Sequence, residues 1–407
     1  MTGINVKSEI GPLKKVFLHR PGNELLNLTP DTLEDLLFDD IPFLRVAQEE
    51  HDAFAKILRD EGVEVFYIEN LVADVIGADP KLCEEFLKQW IYEAGIIQPL
   101  QQKAVFNFMA ENYKEPLELV KKTIEGIQCA ELNIDHIGAL DDYVGEQKTM
   151  LIDPMPNLYF TRDNFASIGR GVSINHMYSH TRNRETIYGD YIFKHHPMFG
   201  DVPRYYKRDS VYHIEGGDIL NINDKLLAVG ISQRTQAAGL DTLAQNLFAD
   251  DSATIETILA FEIPNNRAMM HLDTVFTQID HDKFTIHPAI IGPLRVYELT
   301  FKNGCVDIQK VDSTLEEILE KHMGMPITLI PCGAGDAIAS QREQWNDGSN
   351  TLCIAPGTVI VYQRNEVTNA ELRKHGIRVL EMPSAELSRG RGGPRCMSMP
   401  FWREDLK

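Results

Sequence analysis

No apolar run in this 407-residue chain approaches the roughly 18 residues that cross a bilayer, so a membrane span is not expected. Cysteine is sparse. Cys83, Cys129, Cys305, Cys332, Cys353 and Cys396 are scattered without CxxC spacing, which argues against a disulfide framework or a structural zinc site and suits a reducing cytosol. Basic charge is short as well: 40 Lys and Arg stand against 60 Asp and Glu, a net charge of −20 that disfavours nucleic acid and anionic membrane as partners. Met1 to Lys7 contain no apolar h-region, so no secretory signal is expected and the expected compartment is the cytoplasm. The remaining balance, 43% hydrophobic and 25% charged, is that of a soluble globular protein.

The chain opens with an α/β pattern. Lys14-Lys-Val-Phe-Leu-His-Arg20 predicts a strand ended by Pro21-Gly22. Leu44, Ala47, His51, Phe54, Ala55 and Leu58 recur at helical spacing, Gly62 stops that helix, and residues 63–68 predict a second strand. From 73 to 143 the texture is helical. Asp79-Pro80 is an N-cap followed by proline at the first helical position, and a further helix is expected from Pro116.

After Leu151 hairpins dominate. Asn157 to Asp163 leads into residues 165–174, turning at Gly169-Arg170-Gly171. Residues 211–220 are expected to pair with 226–229, residues 271–278 with 284–287, and residues 351–355 with 359–362 across Pro356-Gly357. A hairpin/helix/strand theme thus recurs about five times, and units of this kind can close around an axis as a propeller-like ring. The expected fold class is α/β, with residues 1–72 and 144–407 forming the ring and residues 73–143 an all-helical insertion.

The densest chemistry lies in Arg389-Gly-Arg-Gly-Gly-Pro-Arg-Cys-Met-Ser-Met-Pro400. Its glycines allow unusual torsions, so the loop can bend sharply and lie close to a ligand. Its arginines are expected to lower the pKa of Cys396 and make it a nucleophile. Asp163, Glu215, His271 and Asp273 mark the hairpin strands; read as strand residues, His271 and Asp273 share one face, as do His213 and Glu215. A cysteine–histidine pair serves substitution at an sp2 carbon. Abundant carboxylates stabilise positive charge and can grip the planar donor fork of a guanidinium.

The stretches Val16-Phe-Leu-His-Arg-Pro-Gly22, Leu37-Phe-Asp-Asp-Ile-Pro42, Phe160-Thr-Arg-Asp163, His213-Ile-Glu-Gly-Gly-Asp218, Met270-His-Leu-Asp273, Gln344-Trp-Asn-Asp-Gly348 and Gly390 to Pro400 run nearly end to end. Together they resemble the arginine deiminase family of the guanidine-modifying superfamily. The resemblance implies a five-bladed pseudo-symmetric α/β propeller with a helical insertion, and hydrolysis of L-arginine to L-citrulline and ammonia through an amidino-cysteine intermediate. It implies Cys396 as nucleophile and His271 as general acid/base. Asp163 and Asp273 would hold the guanidinium, with Glu215 between it and His271. Arg182, Arg234 and Arg391 would face the α-carboxylate, and Asn157, Phe160 and Gly390 would line the pocket. No cofactor and no metal are expected; the expected partners are a small-molecule substrate and further copies of the chain.

Three rival readings stand beside it. One is another guanidine-modifying activity, an amidinotransferase or a methylated-arginine hydrolase. The second is a mononuclear iron oxygenase using His271-Leu-Asp273 with a third histidine such as His287. The third is a propeller scaffold without catalysis.

Overall fold

The computed structural model describes residues 3–132, 149–264, 269–290 and 294–406. Alternating apolar residues and glycine turns build one unit repeatedly: an antiparallel strand pair, a helix, and a third strand parallel to the second. Phe165–Ile168 pairs with Gly171–Ile174, and Arg204–Tyr206 follows helix Thr186–His195. Ile219–Asn221 pairs with Leu226–Ile231, and Thr257–Glu262 follows helix Ala237–Phe248. Phe276–Gln278 pairs with Lys283–Ile286, and Thr328–Pro331 follows helix Leu315–Met323. Leu352–Ala355 pairs with Thr358–Tyr362, and Arg378–Met382 follows helix Glu366–Lys374.

The first unit in chain order joins the two ends of the chain. Met399–Arg403 runs antiparallel to Leu13–Leu18, and Glu64–Tyr67 lies parallel to the latter after helix Leu44–Asp60. That helix buries Ala47, His51, Phe54, Ala55 and Leu58, the face expected from their spacing, and Gly62 beyond it takes a left-handed φ of 78°. Fully burying a side chain such as Phe54 or Leu58 contributes about 1.5–3 kcal/mol.

Between the strands at Glu64–Tyr67 and Phe165–Ile168 lie helices Ile68–Ala78, Pro80–Glu93, Pro99–Asn112 and Pro116–Glu125. Asp79 caps the second of these, its side chain accepting the Lys81 N–H at 2.9 Å. Phe86, Trp90 and Val120 from this stretch share one core with Phe17, Phe165, Tyr188 and Met399. The buried Trp90 ring donates to Thr123 O at 3.1 Å. The expected end of the stretch, residues 133–143, lies outside the described residues, as does the expected start of the second segment at 144.

Several expected strands are something else. Residues leading to Asp163 form short helical turns, Pro156–Tyr159 and Thr161–Asn164. Pairing of the third unit begins at Ile219, after a 3-10 turn at Gly216–Asp218, and pairing of the fourth begins at Phe276, after a 3-10 turn at Leu272–Thr274. His271 and Asp273 therefore do not share a strand face. The hairpin Arg295–Lys302 and Cys305–Val311, which extends the third sheet, was not anticipated. Its turn, Asn303-Gly304 with φ of 54° and 80°, carries a strong hairpin signal that the strand reading passed over.

Candidate active site

The five segments that enter the first strand of each unit bring the chemistry together. Asp163 precedes Phe165–Ile168, Glu215 and Asp218 precede Ile219–Asn221, and His271 and Asp273 precede Phe276–Gln278. Asn350 precedes Leu352–Ala355, and Cys396 precedes Met399–Arg403. A cavity of about 890 Å³ is lined by Cys396, His271, Asp163, Asn157, Phe160, Arg182, Arg234, Gly390 and Arg391, nine of the eleven expected site residues. Glu215 and Asp273, both fully buried, lie behind that lining. Asn157 is fixed by donating from Nδ2 to Leu36 O at 2.6 Å, and Phe160 packs on Tyr159 with ring centroids 4.0 Å apart.

Cys396 Sγ lies 3.6 Å from Asp273 Oδ2, and its backbone N–H donates to Asn350 Oδ1 at 3.0 Å. The expectation of a lowered thiol pKa is overturned. Burial raises it well above the ordinary range, and Asp273, Asp163 and Asp347 raise it further against the opposing Arg395. The loop's arginines do not outweigh this rise, and each is itself paired with a carboxylate. Arg389 bonds Asp40, Arg391 Nη1 lies 3.3 Å from Asp39 Oδ2, and Arg395 is held between Glu9 and Asp273.

The role expected of the loop's glycines is corrected too. Gly390, Gly392 and Gly393 keep ordinary torsions, whereas Arg391 takes the left-handed φ, 65°. A Cβ on Gly390, Gly392 or Gly393 would collide with Tyr159, Phe160 or Asn350, so close packing is what excludes larger residues there. Gly217 serves His271 in the same way, since a Cβ would sit 2.6 Å from its ring.

His271 Nε2 is bonded to Glu215 Oε2 at 2.8 Å, and Nδ1 lies 3.8 Å from Asp163 Oδ1. Burial would lower its pKa, but Asp163, Glu215 and Asp218 outweigh that and hold it up at about 9, so the ring is a cation at neutral pH. Glu215 also accepts the Tyr178 N–H at 3.0 Å, and Arg234 Nη1 lies 3.7 Å from its Oε1. Asp163, Glu215 and His271 each place one atom within 4.8 Å of the others, a spacing that suits a metal ion. A metal held there would have to displace the proton that His271 carries. His287, the third histidine of the iron reading, lines a different cavity beside Trp345 and Arg364.

The two aspartates share a pattern. Arg182 Nη1 donates to Asp163 Oδ2 at 2.8 Å, and Arg395 Nη1 donates to Asp273 Oδ2 at 2.7 Å. Oδ1 of each carboxylate is buried and accepts no hydrogen bond among the described residues. Of the three arginines expected to face an α-carboxylate, none is a surface charge. Arg182 also contacts Glu185 Oε2 at 3.2 Å, Arg234 lies 5.4 Å from the Tyr178 ring centroid with Nε unpartnered, and Arg391 stacks 3.5 Å over Trp345. Sequence reasoning missed Glu9, Asp218, Asn350 and the pairing of Arg395. Asp218 and Arg395 lie within quoted motifs and Asn350 two residues past one, but Glu9 carries no local signal.

The arginine deiminase family model matches residues 34–403 of the chain. The arginine deiminase of Treponema denticola is 59% identical over 411 residues, covering 100% of both chains. That of Clostridium perfringens is 53% identical over 409 residues, covering 99% of this chain and 98% of the relative. Two solved structures share the fold at low identity. The N-terminal domain of ArgZ, a cyanobacterial arginine dihydrolase bound to product, aligns with a TM-score of 0.54 at 13% identity over 97% of this chain and 99% of that one. A cysteine-to-serine variant of DDAH from Pseudomonas aeruginosa, complexed with citrulline, aligns with a TM-score of 0.53 at 15% identity over 96% and 99%.

Proposed function

The chain belongs to the arginine deiminase family and hydrolyses L-arginine to L-citrulline and ammonia; we propose that Cys396 is the nucleophile, His271 the general acid/base, and Asp163 and Asp273 the guanidinium clamp. The observation that carries this assignment is the pair of buried aspartates flanking Cys396, each with one oxygen held by a protein arginine and the other accepting no hydrogen bond among the described residues. A guanidinium presents the planar N–H donors that such oxygens accept.

The cationic substrate offsets the carboxylates that keep Cys396 protonated, so the thiol gives up its proton as L-arginine binds. The thiolate attacks the guanidinium carbon. His271 donates a proton to one nitrogen, ammonia departs, and a positively charged S-alkylthiouronium remains on Cys396. The neutral His271 takes a proton from water, whose oxygen adds to the same carbon. Collapse expels the thiolate and yields citrulline after loss of one proton. Glu215 orients His271 and favours its charged form. Arg182 and Arg234 receive the α-carboxylate, Arg391 turns inward from Asp39 to join them, and Asn157, Phe160 and Gly390 shape the wall.

The same reading places the five units around a common axis as a five-bladed propeller, with residues 73–143 inserted between the first and second. Their like strand order and the meeting of their entering segments at one cavity support it. A cytoplasmic homo-oligomer fits six cysteines that form no disulfide among the described residues, and the exposed Tyr92, Ile97 and Leu100 on the helical stretch. No described helix is long and apolar enough to cross a membrane. The test is to incubate purified protein with L-arginine and no acceptor amine. Citrulline and ammonia in equal amounts are expected; no ammonia, but ornithine and an amidinated amine once an acceptor is added, would mark an amidinotransferase instead.

A further inference from the structure

Arg395 is buried, 1% exposed, and four of its donor contacts are accounted for. Nε and Nη2 each meet an oxygen of Glu9 at 3.1 Å, Nη2 also donates to Ile219 O at 2.8 Å, and Nη1 donates to Asp273 Oδ2 at 2.7 Å. A guanidinium grips a carboxylate bidentately along one of two edges, Nε with Nη2 or Nη1 with Nη2. Glu9 occupies the first edge. The Ile219 carbonyl takes the Nη2 donor that the second edge requires. Only Nη1 remains for Asp273, and Oδ1 of Asp273 accordingly accepts no hydrogen bond among the described residues.

We propose that Glu9 is a positioning residue for substrate recognition: by holding the side edge of Arg395, it restricts that arginine to one oxygen of Asp273 and keeps the other open to the substrate guanidinium. The inference rests on the reading of Asp273 as one jaw of the clamp. Residue 9 lies outside the span 34–403 that matches the family model.

Glu9 is itself held firmly. Its N–H donates to Asn221 O at 2.7 Å, and its Oε1 accepts the Asn221 N–H at 3.1 Å, pinning it to strand Ile219–Asn221. Arg162 Nη1 lies 3.8 Å from the same oxygen, so two buried cations depend on this one anion. Replacing Glu9 by glutamine removes the charge and sets an amide N–H₂ against the arginine donors. Released from Glu9, Arg395 can swing off the Ile219 carbonyl and turn its Nη1–Nη2 edge to Asp273, which it then grips through both oxygens. L-arginine must displace that internal guanidinium before it binds.

Such competition raises KM and spares kcat, because saturating substrate overcomes it. If the open form of Asp273 falls to about 1–10% of molecules, KM rises about 10- to 100-fold. Citrulline formation by Glu9→Gln, Glu9→Asp and Asp273→Asn should be measured across substrate concentration, with circular dichroism on each variant. Expected are a KM at least tenfold higher for Glu9→Gln with kcat within about threefold, and an intermediate KM for Glu9→Asp, whose shorter carboxylate keeps the charge. If Glu9→Gln does not fold, a raised KM with preserved kcat in Glu9→Asp decides the matter. Folded Glu9 variants with unchanged KM, or with lowered kcat alone, would overturn the proposal while Asp273→Asn still showed the clamp. An Asp273→Asn variant as efficient as the parent would remove the clamp and this inference with it.

Discussion

Asp273→Asn should make the substrate-free enzyme more reactive and the enzyme with substrate far less so. Asp273 Oδ2 stands 3.6 Å from Cys396 Sγ and is one of the groups that keep the thiol protonated. Two unit charges at that distance interact by about 4–5 kcal/mol at an effective dielectric constant near 20. Arg395 at 2.7 Å from the same oxygen cancels part of that. If half survives, removing the charge favours the thiolate by about 2 kcal/mol, more than tenfold in thiolate population. Thiolate nucleophilicity falls as its pKa falls, with a Brønsted slope of about 0.4–0.5, so the gain in alkylation rate is smaller, roughly three- to tenfold.

Turnover moves the other way. Losing one charged partner from a desolvated pair costs about 2–5 kcal/mol. At about 1.4 kcal/mol per tenfold, kcat/KM should fall by roughly two to four orders of magnitude. The assay pairs iodoacetamide inactivation at pH 7 without substrate with citrulline formation, and circular dichroism confirms folding. Alkylation unchanged or slower in the variant, or kcat/KM within tenfold of the parent, would refute the reasoning.

Cys396→Ser should leave the circular dichroism spectrum intact and abolish citrulline formation, since the serine oxygen has no strong base beside it; appreciable residual turnover would rule out the covalent route. Agmatine, which lacks the α-carboxylate assigned to Arg182 and Arg234, should be processed at least about a hundredfold less efficiently than L-arginine, as losing a charged partner from a desolvated site costs about 2–5 kcal/mol. In Glu215→Gln the alkaline limb of the kcat/KM–pH profile should move to lower pH, because Glu215 helps hold the His271 pKa up. For folding, the raised His271 pKa contributes stability that is complete below about 6.5 and lost as pH rises through about 9, so thermal melts of the parent and Glu215→Gln should converge above that range.

Local signals carried the fold as far as they reached. The helix at Leu44–Asp60 and the turns at Gly169 and Gly357 obey spacing and glycine chemistry within a few residues, and they stand where expected. The segments before each unit's first strand do not. His271–Asp273 alternates like a strand, yet Asp218 Oδ1 accepts the Leu272 N–H at 2.8 Å and helps hold the backbone in a 3-10 turn. The shared strand face that first set His271 beside Asp273 is thus a geometry these residues do not have. The pKa of Cys396 was misread for a related reason. Arginines adjacent in sequence were counted as adjacent in field, while the decisive carboxylates Asp163, Asp273 and Asp347 arrive from other units. Glu9 was invisible because its meaning lies wholly in a contact 386 residues away.

That surplus of carboxylates bears on how the site tells substrate from product. A lowered thiol pKa would make Cys396 a standing nucleophile, open to alkylation and oxidation whether or not substrate is present. Under the proposed clamp, the thiolate is disfavoured until a cation arrives between Asp163 and Asp273. L-arginine brings that charge; citrulline, whose ureido group is neutral, does not. As the carbon–sulfur bond breaks and a departing proton carries the charge away, the same carboxylates again favour the protonated thiol. The aspartate oxygens that gripped a cation then face a neutral group with weaker donors. The field that suppresses the idle nucleophile therefore also weakens binding of the product, and one set of residues accounts for both.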